Sequence, residues 1–331
     1  IPSAGGPQVR FSIGAGDRQA LQPPLSSTLP VTGNCVQLLF SQLGKKNVLL
    51  LYCAAMTENK ILFHSSSYTR LSDSCRALTA LMYPLRYTHT YVPLLPASIL
   101  EILSTPTPFI MGIHSSMQNE INDMLDVIVA DLDGGSIHIP ESLLSPVSKL
   151  PAAVWETTNY SLTTILQPEL CEADNAFHSS LTRETNDSRN PNLVDKELRA
   201  VFMRCFAQLM QGYRSCLTLI RINPKPVIEF HKAAFLGSRE LPDTDFLARV
   251  LDSMFFTTFV TERGPPWRQF DAFDELYNAM PELLKSELKD RRLIVRHIQE
   301  LAQKLFLNES PNVQNYQQKI LSPPEGAFSR I

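Results

Sequence analysis

Apolar residues along this chain fall into short continuous runs and into longer stretches with a helical period, and the two kinds alternate through the first 140 residues. Residues 48–56, Val-Leu-Leu-Leu-Tyr-Cys-Ala-Ala-Met, are apolar on every side of a helical wheel, which predicts a buried helix. After the polar break Thr57-Glu58-Asn59-Lys60, the run Ile61-Leu62-Phe63-His64 predicts a buried strand. Residues 108–113 and 127–131 predict two more. Between these runs, Val36, Leu39, Phe40 and Leu43 share a helix face after the candidate cap Asn34, and Gly44 ends that helix. Leu71, Cys75, Leu78 and Met82 predict a helix capped from Ser65-Ser66-Ser67 and stopped by Pro84. Residues 97–103 read as a short helix and residues 115–124 as a polar one. Pro93 makes the segment 91–96 an edge strand or extended loop. Val9-Arg10-Phe11-Ser12-Ile13 alternates as a half-buried strand does. Gly14-Ala15-Gly16 then reads as a loop, because Gln19 stands where a dinucleotide fingerprint needs its third glycine and Pro23-Pro24 spoil the helix.

The second half reads differently. Residues 141–191 are mixed and turn-rich, and Asn186-Asp187-Ser188-Arg189-Asn190-Pro191 predicts a loop or disordered linker that proteases should nick first. From residue 195 to 220 the apolar residues, Leu198 to Ile220, keep to one helical stripe, with Phe202, Phe206 and Leu209 expected to pack back on the sheet. Phe230, Phe235 and Leu236 predict a short helix. Residues 246–255 predict another, closed by Gly264-Pro265-Pro266, and Ile294, Ile298, Leu301 and Leu305 define the last. The expected fold class is therefore α/β, an open sheet with helices on both faces, followed by an all-α helical part. The expected divisions are 1–140, a linker 141–193, a helical part 194–307, and a polar, frayed tail 308–331.

Composition narrows the function classes. A chain of 331 residues, 44% hydrophobic and 19% charged, is an ordinary folded protein with room for two units. A net charge of −3 argues against nucleic acid as partner, and the longest apolar run is too short to cross a bilayer. The first residue, Ile1, is not methionine and no leader-like stretch follows, which suggests a fragment or processed form. Six cysteines without a C-x-x-C pair, three of them in apolar helical patterns, point to a reducing cytosol.

Candidate chemistry is sparse. Asp131 and Asp133, one residue apart at a strand end, could hold a divalent cation as in sugar-nucleotide transferases. Against this, Asp133-Gly134 is a type I′ turn signal, with Ser136-Ile137-His138-Ile139 returning as the second strand, and the turn is the favoured reading. His64 reads as a strand-end histidine, since the chain has neither G-x-S-x-G nor a P-loop. His89, His114, His138 and His231 lack ligand spacing. Asp290-Arg291-Arg292 with Arg296 is a local basic cluster, read first as a solvated helix face. Phe255, Phe256 and Phe259 read as core, with a partner-binding face second.

Six pieces in order carry a family resemblance: Leu38-Leu39-Phe40; Thr57 to Phe63 as T-E-N-K-I-L-F; Ala80 to Tyr87 as A-L-M-Y-P-L-R-Y; Tyr91 to Pro96 as Y-V-P-L-L-P; Thr105 to His114 as T-P-T-P-F-I-M-G-I-H; and Ala130 to Gly135 as A-D-L-D-G-G. Together they resemble the central part of a DENN domain. Phe230-His231-Lys232-Ala233-Ala234-Phe235-Leu236 and Phe259-Val260-Thr261-Glu262-Arg263-Gly264 resemble its downstream helical part. Gly16-Asp17-Arg18-Gln19 and residues 195–202, D-K-E-L-R-A-V-F, are similar to the SET-binding factors, a subfamily of myotubularin-related pseudophosphatases. The resemblance implies a guanine-nucleotide exchange factor for a Rab-type small GTPase, working at the cytoplasmic face of vesicle or endosomal membranes. It implies no covalent chemistry, no cofactor and no metal, and an upstream longin-like lobe that lies outside this chain. Strand-end loops are then the expected GTPase surface. By position the candidates are Ser65, Ser66, Arg70, Arg86, Tyr87, His89, Asp131 and Asp133. Two rivals stay open: a GTPase-binding scaffold without exchange, and a metal-dependent transferase built on Asp131 and Asp133.

Overall fold

The computed structural model describes residues 2–14, 16–120, 124–144, 150–168, 190–240 and 244–310. Its centre is a five-stranded sheet in the order β4-β5-β3-β6-β7, formed by β3 (Lys60–Ser65), β4 (Thr90–Val92), β5 (Phe109–His114), β6 (Val127–Asp131) and β7 (Ser136–His138). The first four strands in that order are parallel, and β7 returns antiparallel to β6. β3 lies at the middle and, from Ile61 to Ser65, is buried throughout, as its unbroken apolar run requires.

The two faces of the sheet are covered by different material. Ile61, Phe63, Ile110, Ile128 and Ala130 join one core with α1 (Cys35–Met56) and α2 (Tyr68–Leu81). Leu62, Phe109, Met111, Ile113 and Val127 point the other way, onto Leu95, Leu103 and Met117. Two 3₁₀ helices, Ala97–Ser104 and Ser115–Glu120, cover that second face. The segment 115–124 is therefore a 3₁₀ turn as far as residue 120, not a polar α-helix, and residues 121–123 lie outside the described ones. Gly112 is dictated by close approach: a Cβ there would stand 2.1 Å from the Pro93 carbonyl oxygen.

The Gly44 boundary appears as a kink. Its φ of 75° interrupts helical geometry, yet the chain resumes the same rod, so the two predicted helices form one bent element. Asn34 occupies the cap position but makes no side-chain cap bond. The cap comes from far along the chain: the Asp195 carboxylate accepts the Val36 and Gln37 amides at 2.7 and 3.1 Å. The strand at 9–13 forms as β1 (Val9–Ile13), but residues 17–21, read as loop, form β2 (Asp17–Leu21), and both strands of this hairpin are exposed rather than half-buried.

Downstream, α4 (Ala152–Leu166) lies within the segment expected to be linker, after the one-turn α3 (Glu141–Leu144). The protease-sensitive stretch expected at 186–190 falls, apart from Asn190, outside the described residues. Asn190 caps α5 (Pro191–Leu209) by accepting the Asn192 amide at 3.0 Å. The helical stripe predicted over 195–220 stops at residue 209. Gly212, at φ 84°, turns the chain, and Leu217 to Arg221 become β8 (Leu217–Arg221), paired with β9 (Val227–Phe230). Thr218 and Ile220 are β-branched, and a strand partner across the proline-bracketed turn outweighs the helical period. Residues 246–255 are two helices, α7 (Thr244–Asp252) and α8 (Met254–Arg263), because Ser253 leaves helical geometry and its hydroxyl caps the Phe256 amide. Between α7 and α5 sits α6 (Lys232–Gly237). After α8 comes α9 (Ala272–Glu287), started by an Asp271–Asp274 capping box and continuous through Pro281. The last helix is α10 (Leu293–Glu309).

Helix α5 is buried on all sides from Asp195 to Ala207, charged residues included. It packs on α1, not on the sheet itself: the Phe202 ring meets Tyr52 at 4.7 Å and Phe40 at 6.0 Å. Phe206 faces away, onto Phe259 and Phe273. Three charged residues near the start of α5, Asp195, Lys196 and Arg199, form one cluster with Glu309. Asp195 accepts from Thr32 Oγ1 at 2.5 Å and from Lys196 Nζ at 3.0 Å, Lys196 reaches Glu309 at 2.7 Å, and Arg199 reaches Glu309 at 2.8 Å. Asn308 and Glu309, expected to fray, are thereby fixed: the Asn308 carbonyl and side chain take the Leu25 and Ser26 amides.

Asp195→Ala removes the cap of α1 and leaves Lys196 with one of its two carboxylate partners, and the expected loss is about 3–5 kcal/mol in urea unfolding. A loss below about 1 kcal/mol would mean that the cluster relaxes around the gap. The same cluster sets a pH dependence. Burial works to raise the Glu309 carboxyl, and bonds from Lys196 and the Thr32 amide, with the Lys196 and Arg199 charges, hold it below its ordinary 4.5. A depressed folded-state value stabilises above the unfolded one, so stability should be lost as pH falls from about 4.5 through the depressed folded value. Denaturation midpoints from pH 7 down to 3 should fall less steeply in Glu309→Gln.

Candidate functional site at the carboxyl edge of the sheet

β3, β5 and β6 end at one edge of the sheet, with Ser65 in register with His114 and His64 in register with Asp131. In a parallel sheet this carboxyl edge is where loops diverge and leave room for a ligand or partner. The β6–β7 turn stands on it. Asp131 Oδ1 accepts the Asp133 amide at 3.1 Å, an Asx-type bond that shapes the turn. Gly135 carries the positive φ, 69°, while Gly134 does not, so the turn is not the type I′ pair expected at Asp133-Gly134.

Asp133 is the hub. Its carboxylate accepts from the Ser65 hydroxyl at 2.7 Å, the Ser66 amide at 2.6 Å and Arg70 Nη1 at 2.8 Å. The Ser66 amide bond is the largest cause holding the Asp133 carboxyl far below its ordinary value, with Ser65 and Arg70 adding to it against a smaller opposing effect of burial. Two residues join this group that sequence reasoning passed over. His114 Nε2 lies 3.1 Å from the Ser66 carbonyl, and its ring stacks on Tyr68 with centroids 4.8 Å apart. Tyr68 is 60% exposed, and beside it opens a cleft of about 390 Å³ lined by Leu71, Leu94, Leu95, Ala97 and Met117. No local signal marks His114 or Tyr68, because strand pairing alone brings the ends of β3 and β5 together.

Five of the eight candidates, Ser65, Ser66, Arg70, Asp131 and Asp133, thus share one surface. The other three, Arg86, Tyr87 and His89, do not. They precede β4 and lie at the opposite, amino edge. His89 Nε2 meets Glu58 Oε1 at 2.8 Å, and the same oxygen accepts the Met254 amide at 2.7 Å. Tyr87 stacks on Phe255 at 5.6 Å, and Arg86 pairs with Glu262 at 2.9 Å. All three bind the sheet to α8, which is a joint within the fold. Glu58 holds a positive φ of 57° to serve that joint.

The metal reading of Asp131 and Asp133 loses its ligands. Both Asp133 oxygens are filled by protein donors, an arginine among them, and Asp131 Oδ1 accepts the turn amide of Asp133. Among the described residues no group of three or more His, Cys, Asp or Glu side chains is placed to hold a metal ion. No described helix is long and apolar enough to cross a membrane.

The frame that carries this site is matched by two family models, a DENN (AEX-3) domain over residues 1–135 and a dDENN domain over residues 230–276. The chain belongs to the DENN-domain proteins. It is similar to Myotubularin-related protein 5 of Caenorhabditis elegans, 31% identical over 317 residues, which is 91% of this chain and 17% of that protein. It is also similar to the DENN domain and WD repeat-containing protein SCD1 of Arabidopsis thaliana, 27% identical over 65% of this chain and 18% of that protein. The chain therefore spans less than a fifth of the length of either relative. DENN domains are in general exchange-factor-type modules for Rab GTPases.

Asp133→Ala unties Ser65, the Ser66 amide and Arg70 at once, and it should cost about 2 kcal/mol of stability. The measurement is the urea midpoint of the variant beside Asp131→Ala, which should also lose stability through the turn. An unchanged midpoint in both would mean that the edge is not ordered by these carboxylates.

Proposed function

We propose that this chain is part of a guanine-nucleotide exchange factor for a Rab-family small GTPase, acting peripherally at vesicle or endosomal membranes. The observation that carries the reading is the DENN match over residues 1–135, which contains nearly the whole parallel sheet and its exposed carboxyl edge. The reading needs no nucleophile. A nucleotide bound with nanomolar to picomolar affinity is held by about 12–16 kcal/mol, and an exchange factor lowers that by binding the nucleotide-free GTPase better. What it needs is a rigid polar and aromatic surface that pulls the GTPase's switch loops off the phosphates and magnesium. The Asp133–Arg70 pair, tied to the backbone of residue 66, and the exposed Tyr68 ring offer that surface. The family resemblance adds an upstream longin-like lobe as the second jaw of a clamp, so the chain alone should bind weakly and exchange slowly.

Fluorescent-GDP release from a panel of Rabs, with this chain and with a longer polypeptide carrying upstream residues, tests the reading. The longer form should accelerate release from at least one Rab, and this chain far less. Binding to a nucleotide-free Rab without acceleration by either form would favour the scaffold instead. Tyr68→Ala and Arg70→Ala in the longer form should each weaken binding by about ten-fold or more. Tyr68 is 60% exposed and the Arg70 side chain about half exposed, so stability should fall by no more than about 1 kcal/mol. Unchanged binding in both variants would move the GTPase surface elsewhere.

A further inference from the structure

The basic cluster singled out in the sequence takes no part in the carboxyl-edge site. It forms the turn between α9 and α10. Leu288, the last residue of the α9 rod, is held there by its amide on the Leu284 carbonyl at 3.0 Å, and it is 90% exposed, more than any other large apolar residue described. Lys285, Lys289, Arg291, Arg292 and Arg296 lie within eight positions of it along the chain, all exposed. Within residues 285–296 they outnumber the carboxylates Glu287 and Asp290 by three, in a chain whose net charge is −3, while Asp290 pairs with Arg292 at 3.1 Å and Glu300, beyond the turn, pairs with Arg296 at 3.0 Å. Glu287 turns inward, bonded to Arg204 and to His297 at 2.8 Å, so its charge is spent inside. Arg291 lies 4.2 Å over the Tyr160 ring and 3.1 Å from Glu156, which brings α4 alongside. The residue before Glu156 on α4, Trp155, is itself 39% exposed.

We infer that the α9–α10 turn is a membrane-docking surface for anionic phospholipid, with Leu288 entering the interface and the basic side chains of the turn, Lys285 and Lys289 foremost, meeting the headgroups. An exposed leucine on a rigid turn rich in lysine and arginine, and flanked by tryptophan, has the chemistry of an interfacial anchor, and the charge surplus is complementary to an anionic leaflet. The surface deepens the proposed peripheral membrane placement and rests on that reading for its purpose. It stands apart from the GTPase surface. α10 starts at this turn and runs 17 residues, about 25 Å, to Glu309, which sits against Thr32 and Gly33 before α1.

Vesicle flotation of this chain, and of the longer polypeptide, tests the inference. The wild type should float with phosphatidylcholine vesicles containing about 30 mol% phosphatidylserine, not with phosphatidylcholine alone, and high salt should release it. Each basic residue near an anionic surface raises partitioning roughly five-fold, so Lys289→Glu with Arg292→Glu should lower it by at least about 25-fold. Leu288→Ser, on a fully solvated side chain, should lower it by roughly ten-fold with the urea midpoint unchanged. Equal flotation on neutral and anionic vesicles, no flotation of the wild type, or unchanged flotation of the variants would each overturn the inference. GDP release measured without vesicles should be the same in all three proteins. A failure there alone would count against the exchange reading and leave the lipid result standing.

Discussion

A buried charge cluster holds the two halves of this protein in register. Asp195 and Lys196 are within 1% of complete burial, and they join the α1 N-terminus, the loop at Thr32 and Gly33, the start of α5 and the end of α10. Charges taken out of water are tolerated only when they are paired and hydrogen-bonded, and here the partners come from four places in the chain. The cluster can form only when those four segments arrive together. It therefore acts less as a source of net stability than as a condition on the arrangement.

A second polar joint lies at the other end of the same interface. Glu58, leaving α1 through a left-handed residue, accepts from the Met254 amide and meets His89, while Phe255 packs against Tyr87 and His89. Between the two joints the contact is apolar, with Phe202 of α5 wedged against Tyr52 and Phe40 of α1. A sheet pinned at both edges of its helical backing is stiff, and the proposed function calls for a stiff surface at the carboxyl edge.

Two polar surfaces are left to the outside. Asp133, Arg70, Tyr68 and His114 gather on the sheet edge by strand register, and the α9–α10 turn gathers cations around a leucine by helix packing. Neither borrows a residue from the joints. The candidates Arg86, Tyr87 and His89 went to a joint because they precede an edge strand at its amino end, where each meets a side chain of α8.

Local chemistry decided much by itself. Unbroken apolar runs fixed β3, β5 and β6 as buried strands, Ser67 and Pro84 bounded α2, Pro93 kept β4 short, and Asp131 with Gly135 shaped the last turn. The family wording was legible too, since it rests on short pieces in order. Only tertiary structure decided where period and packing disagree. Residues 217–221 follow a helical stripe yet pair as a strand, residues 272–287 form a helix through a proline, and Asn34 yields its capping role to Asp195, 161 positions away in the chain. A period reports which side of an element is apolar, and it carries no information on which distant segment will meet that side. The candidate site divides in the same way. Sequence placed Ser65, Ser66, Arg70, Asp131 and Asp133 at strand ends, and the parallel register of β3, β5 and β6 chose which ends are neighbours and brought in His114 and Tyr68, because proximity across a sheet is set by pairing rather than by spacing along the chain.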